Sequence, residues 1–211
     1  MESLRPSSFG SLLVLLALAG TAATARAEPS LPEIRTDLPI TIDADSSEFD
    51  YVSSRLVFKG LRMDQGGLGI EADVAETDKL DFTDGVWIFN GNVVVKADNT
   101  TLYCDQARVH FVEHELTSLD VTGAPARFEQ LLPETNERNT GQANSIAYSA
   151  ANGIVTLRDN ARFSDGGNEV TGELITYDII SRHLTAGSGD SGPVKIVIEP
   201  PEQLKEKARQ R

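Results

Sequence analysis

Three acids occupy the same place in three similar stretches of this chain. They are Asp73 in Ile70-Glu71-Ala72-Asp73-Val74-Ala75, Asp105 in Leu102-Tyr103-Cys104-Asp105-Gln106-Ala107 and Glu173 in Val170-Thr171-Gly172-Glu173-Leu174-Ile175. Paired carboxylates are the working parts of glycoside hydrolases, one protonating the leaving oxygen while the other attacks or activates water. Trp87 would suit such an enzyme as a platform for a sugar ring. A plainer reading competes with both. Acids at equivalent places of a repeat fall on successive rungs as solubilising turn or edge groups, and Trp87, alternating with Phe89, packs inside. Cys104 fills the small slot that Ala72 and Gly172 fill in the sister stretches, and as the only cysteine it has no disulfide partner. It reads as a packed thiol. His110, His114 and His183 have no partner cluster at zinc-ligand spacing. These residue types point to no enzyme, no metal and no cofactor.

The elements that would position them are strands. Before each acid-bearing stretch lies an alternating one: Leu56-Val57-Phe58-Lys59-Gly60, Trp87-Ile88-Phe89-Asn90-Gly91 and Val155-Thr156-Leu157-Arg158-Asp159. Between the members of each pair stand Gly66-Gly67, Asp98-Asn99 and Gly166-Gly167, which are turn residues. Alternation of period two predicts strand–turn–strand units, and one such unit cannot cover its apolar face alone, so units must stack. Leu56, Phe58, Trp87, Phe89, Val155 and Leu157 point inwards; Arg55, Lys59, Asn90 and Arg158 face water. Past the Gly or Asp position the apolar parity can change, as at Leu61 and Met63, which predicts a bulge or bend. Leu131–Thr140, polar and with a proline, reads as a loop, and Glu202–Arg211 as a helical or disordered tail. The expected fold is all-β, with antiparallel hairpin repeats stacked as an open, twisted roll splayed around an elongated apolar groove.

The first residues are of another kind. Met1–Ala27 carries Arg5, the apolar run Leu12–Ala19 and an Ala25-Arg26-Ala27 ending, the pattern of a secretory signal cleaved before Glu28. Its apolar run is shorter than the roughly 20 residues that span a bilayer. Cleavage leaves a linker over 28–37 and one domain over 38–201. Because the leader holds Glu2 against Arg5 and Arg26, its removal takes the formal charge from −13 to −14. Such a surface repels nucleic acid.

Pro39-Ile40-Thr41-Ile42-Asp43-Ala44-Asp45, the Leu56–Gly60 unit and the Gly69–Ala75 unit resemble the opening of the OstA-like family of lipopolysaccharide-transport bridge proteins. Asp120–Phe128, with its Gly-x-Pro-Ala step, is similar to that family's mid-chain strand. Gly141–Tyr148, Gly153–Asn160, Val170–Tyr177 and Pro193–Pro200 continue the likeness in order. The unit at about 80–112 stands as an extra repeat against the compact family pattern.

The resemblance implies an OstA-like β-jellyroll in the periplasm whose interior holds the acyl chains of lipopolysaccharide. It implies partners: an inner-membrane LptC-like protein with its transporter complex, an outer-membrane LptD-like assembly protein, and further copies joined head to tail. Ile40, Ile42, Phe128 and Tyr148 fall on positions that match the family's lipid-facing segments; Phe58, Phe89 and Leu157 join the groove through alternation alone. Pro39, Ile40, Thr41 and Ile42 at one end, and Val194, Lys195, Ile196, Val197 and Ile198 at the other, are the expected assembly edges. Two alternatives stay open, an inner-membrane-anchored component of the same fold and a β-solenoid carbohydrate-binding or carbohydrate-active protein.

Overall fold

The computed structural model describes residues 38–79, 84–113, 115–133, 136–187 and 193–200, and no described residue is helical. The expected leader, the 28–37 linker and the Glu202–Arg211 tail lie outside them. The described residues form twelve strands of one antiparallel sheet. The long ones are β3 (Arg55–Gln65), β4 (Leu68–Thr77), β5 (Asp84–Ala97), β6 (Thr100–Val112), β7 (Glu115–Leu132), β8 (Glu137–Ser149), β9 (Ile154–Ser164) and β10 (Asn168–Asp178). Each pairs with the next. At one end β1 (Thr41–Asp43) and β2 (Ser46–Asp50) both pair with β3; at the other, β11 (His183–Gly187) and β12 (Lys195–Ile198) both pair with β10. Both end rungs are thus split in two.

Every long strand is interrupted near its middle, at the same level of the sheet. Gly60 has a φ of 60°, Gly91 and Asn92 have 76° and 47°, and Asp159 and Asn160 have 62° and 59°. Register slips fall on the same line, at Glu71/Val74, Asn90/Val93, Tyr103/Gln106, Thr122/Ala126, Gln142/Ser145 and Gly172/Leu174. Left-handed residues and bulges bend a strand and increase its twist. Each strand therefore has two legs, and inward residues on either side of the break are never two apart. In β3 the step is from Phe58 to Leu61, so parity changes as expected; in β5 it is from Phe89 to Val93 and in β9 from Leu157 to Ala161. Parity is kept in those two because a pair of left-handed residues, not one, takes up the turn.

The recurring acids belong to this line. Asn92 Nδ2 donates to Asp73 Oδ2 at 2.9 Å, and the Asp73 carboxylate sits where a β-carbon on Gly91 would be. Asp45 covers Gly60 in the same way, and Asp105 accepts the Ala124 N–H at 3.2 Å where β7 loops out of register. Asp73 and Asp105 thus cap bends inside strands, correcting the reading of them as hairpin-turn or edge groups. Leu131–Thr140 is also corrected. β7 runs to Leu132 and β8 starts at Glu137, because backbone pairing and the Glu129–Arg138 ion pair at 2.5 Å hold polar residues in the ladder.

The core lies between the legs. In the first leg, one inward row reads Leu56, Thr77, Trp87, Val109, Leu119, Tyr148, Val155, Tyr177 from β3 to β10. The row beside it alternates large and small, Phe58, Ala75, Phe89, Ala107, which gives the rings room. Trp87 stacks on Phe58 at 5.9 Å and on Phe89 at 6.0 Å between centroids, and is 1% exposed. Interior packing of Trp87 is what the alternation predicts.

Two variants check this account by urea denaturation. Trp87→Ala is expected to cost roughly 3–5 kcal/mol, the range for emptying a large aromatic site. Gly91→Ala is expected to cost about 1–2 kcal/mol, from the left-handed backbone and the Asp73 carboxylate in its path. A Trp87→Ala loss no larger than that of a surface change would contradict the packing.

Candidate functional site

Carried across the whole sheet, the inward rows run unbroken from rung to rung. In the second leg the row is Ile42, Met63, Ile70, Val95, Leu102, Phe128, Gly141, Phe163, Val170, Ile196. In the first leg it extends from Phe49 on β2 to Leu184 on β11. No charged side chain interrupts either. The legs meet across the interior, since Phe163 of the second leg stacks on Tyr177 of the first at 5.5 Å. Phe128 reaches Phe163 at 6.5 Å and lies flat over Gly141, where any β-carbon would strike its ring.

Packing is uneven along these rows. Of the 25 buried apolar residues among those described, 17 lie on β3–β6 and only 8 on β7–β10. The half-buried apolar residues against the core are concentrated from β7 onwards, at Leu116, Leu119, Phe128, Val155 and Val170 on β7–β10 and at Leu184 and Ala186 on β11. One half of the roll is tightly filled and the other is loosely filled.

The residues singled out from the sequence distribute as follows. Phe58, Phe89 and Leu157 share one row of the first leg; Phe89 and Leu157 are fully enclosed by neighbouring side chains, and Phe58 is 8% exposed. Tyr148 lies half-buried in the adjacent row, while Ile42 and Phe128 lie half-buried on the opposing leg. Ile40, just ahead of β1, is half-buried against the core. Sequence reasoning missed Met63, Ile70, Val95, Leu102, Phe163 and Tyr177. The change of step past each left-handed residue was the signal that could have found the second leg.

Polar groups inside are few. Burial pushes the Tyr148 and Tyr177 hydroxyls above their ordinary range. Asn139 Oδ1 is buried without a hydrogen-bond donor among the described residues. Cys104 is buried, and burial followed by the neighbouring Asp105 charge pushes its thiol up to about 12. No group of three or more His, Cys, Asp or Glu among the described residues is placed to hold a metal.

The ends are open. β1 pairs only with β3 and β12 only with β10, so the outer backbone of each has no partner among the described residues. Thr41 lies on β1 with Pro39 and Ile40 leading into it, and Lys195, Ile196, Val197 and Ile198 form β12 with Val194 before it. Ile196 and Ile198 are 61% and 74% exposed.

A single bent sheet of stacked hairpins with a continuous apolar interior defines an open β-jellyroll. Its architecture matches the crystal structure of LptH from Pseudomonas aeruginosa, described as the LptA-homologous periplasmic component of a lipopolysaccharide transport device, with a TM-score of 0.51 and 23% identity over 78% of this chain and 98% of that one. A family profile for the LptA/(LptD N-terminal domain) LPS transport proteins matches residues 69–183, and the chain belongs to that family. The matched span includes the β5–β6 hairpin that the sequence marks as additional. The lipopolysaccharide export system protein LptA of Haemophilus influenzae is 30% identical over 132 residues, covering 62% of this chain and 73% of that protein. Its counterpart in Escherichia coli K12 is 27% identical over 135 residues, covering 63% and 72%.

Cys104 provides a check on the interior. A thiol with a raised pKa keeps its proton in the folded chain, so its contribution to stability is present below its ordinary value of 9.0 and is lost as pH rises towards about 12. In the folded protein at pH 8 the thiol should react slowly with a disulfide reagent, and quickly after unfolding in urea. The urea midpoint should fall more between pH 9 and pH 11 in the native sequence than in Cys104→Ala. Rapid native labelling would contradict the burial.

Proposed function

We propose that this chain is a periplasmic carrier of lipopolysaccharide that bridges inner and outer membranes. The observation that carries the reading is the pair of charge-free, largely apolar rows, from Ile42 to Ile196 and from Phe49 to Leu184. With rungs about 4.8 Å apart, ten rungs make a row of about 43 Å. That exceeds the roughly 15 Å depth of one hydrocarbon leaflet, so acyl chains can lie along the wall. Apolar area kept from water is worth about 25 cal/mol per Å², which a lipid crossing an aqueous space would otherwise forfeit. No catalytic group is required.

Because the first half is filled by its own side chains, lipid enters by parting the legs, and the loosely packed β7–β10 half yields first. Ile40, Ile42, Phe128 and Tyr148 offer partly uncovered surface there and at the first rung, while Phe58, Phe89 and Leu157 form the floor exposed once the legs separate. The polar sugars and phosphates stay outside. Topology supports passage from one molecule to the next. β1 and β2 run opposite to β3, and β11 and β12 opposite to β10, so first and last rungs are antiparallel to each other. A second copy shifted along the roll continues the ladder through Pro39–Ile42 and Val194–Ile198. The same edges suit an inner-membrane LptC-like protein with its transporter complex and an outer-membrane LptD-like protein.

Site-specific photo-crosslinking in cells tests the reading. A photoreactive residue replacing Ile42, Phe128 or Tyr148 should capture lipopolysaccharide, whereas one replacing the outward-facing Arg127 or Lys96 should not. Phe128→Asp should weaken lipopolysaccharide binding by roughly tenfold or more. Equal capture from both faces, or none from within, would refute the assignment.

A further inference from the structure

The interior ends at the second-leg tip in residues of another kind. One step beyond the row that holds Met63, Phe128 and Phe163, the paired inward residues read Gln65, Leu68, Ala97, Thr100, Gln130 and Asn139 from β3 to β8. On β6–β8 this rim consists of a hydroxyl and two amides. The first leg ends differently, in Phe111 paired with Leu116, both packed into the core. One rim of the interior is therefore polar and uncharged, and the other is apolar.

Asn139 is the rim residue that the fold leaves unsatisfied. It shares its face of β8 with Gly141 and Ala143, is 6% exposed, and its Oδ1 meets no donor among the described residues. Neighbouring amides are committed elsewhere. Asn99 Nδ2 donates to the Leu131 carbonyl, and Asn168 Nδ2 donates to Asp165 Oδ2 at 3.1 Å within the β9–β10 turn. That turn lies against β8, since a β-carbon on Gly166 would stand 3.6 Å from the Arg138 carbonyl. A buried oxygen in this state costs stability unless a donor from outside the fold reaches it.

We propose that this rim is a hydrogen-bonding rail for the heads of the acyl chains, with Asn139 accepting from an N–H or O–H where a chain joins its sugar. This rests on the lipopolysaccharide reading above and adds which lipids the interior distinguishes. Chains lying on the β7–β10 half pass Phe128 and Gly141, and two residues further, roughly 7 Å along the strands, they meet Gln130 and Asn139. Amide-linked and 3-hydroxylated chains carry donors at that end. An amide linkage also matches an amide side chain in both directions, N–H to carbonyl and carbonyl to N–H. Ester-linked glycerolipids offer only acceptors at the same place and leave Asn139 Oδ1 unpaired. A site built to hydrogen-bond a donor rejects the analogue that lacks it. The rim thus selects acylated amino sugars over phospholipids of equal chain length.

Two lipids offered to the exported chain test this: lipopolysaccharide, and dilauroyl phosphatidic acid, whose ester-linked chains carry no donor at the junction. Asn139→Leu should weaken lipopolysaccharide binding roughly tenfold and change phosphatidic acid binding by less than about twofold. Without lipid, its urea midpoint should equal or exceed that of the native sequence, because an unsatisfied oxygen is gone. Asn139→Thr, which keeps an oxygen acceptor, should hold lipopolysaccharide affinity to within about threefold. In the native sequence the Asn139 side-chain amide resonance should shift with lipopolysaccharide and stay in place with phosphatidic acid, a readout that needs no variant. Equal weakening of both lipids by Asn139→Leu, or a resonance indifferent to lipopolysaccharide, would overturn the rail while leaving the carrier reading in place. A native chain that binds no lipopolysaccharide would overturn the carrier reading, and the rail with it.

Discussion

A flat meander of strands has two faces and encloses nothing. What turns this one into a container is the line of mid-strand breaks at Gly60, Gly91-Asn92 and Asp159-Asn160, with the register slips that join them. The break resets which side chains face inwards, so that Phe58 on one leg and Met63 on the other both contribute to a single core. Asp45 and Asp73 secure it by filling the space above Gly60 and Gly91. Without the bends the two legs would not face each other, and in β3, where the step from Phe58 to Leu61 is three, the second-leg residues would also lie on the other face.

The same constraint explains the distribution of stability. Between the legs, the β3–β6 half is closed by the Phe58–Trp87–Phe89 stack, while the β7–β10 half is bridged by the Phe128–Phe163–Tyr177 rings and lined by half-buried residues. Local opening is drawn from regions with few buried apolar contacts. A firm half that holds the roll's shape, beside a yielding half that admits a guest, follows from where the large side chains sit.

Much of this was legible in the residues. The alternation around Trp87-Ile88-Phe89 and the Gly66-Gly67 and Asp98-Asn99 turns define hairpins, and their recurrence requires stacking. The small slot at Cys104 also reads correctly, since the thiol is buried. The second leg was less legible. Phe163 and Val170 obey the same alternation, but the step across Asp159-Asn160 is four and across Phe58–Leu61 three, so a fixed period does not connect them. Leu131–Thr140 misled because strand pairing is made by backbone groups, and a ladder facing water tolerates polar side chains such as Glu137 and Arg138. The acids Asp73 and Asp105 misled for a related reason. Their common position reports a shared bend, and a bend inside a strand has no distinct composition beyond glycine or asparagine opposite.

The distance between the two legs tests the central claim most directly. Spin labels at Ala151→Cys, on the first-leg tip between β8 and β9, and Pro133→Cys, on the second-leg tip between β7 and β8, in a Cys104→Ala background, report it by pulsed electron–electron resonance. On saturation with lipopolysaccharide the account predicts a shift of the distance distribution to longer values. An unchanged distribution at saturating lipid would contradict an interior that opens to hold acyl chains.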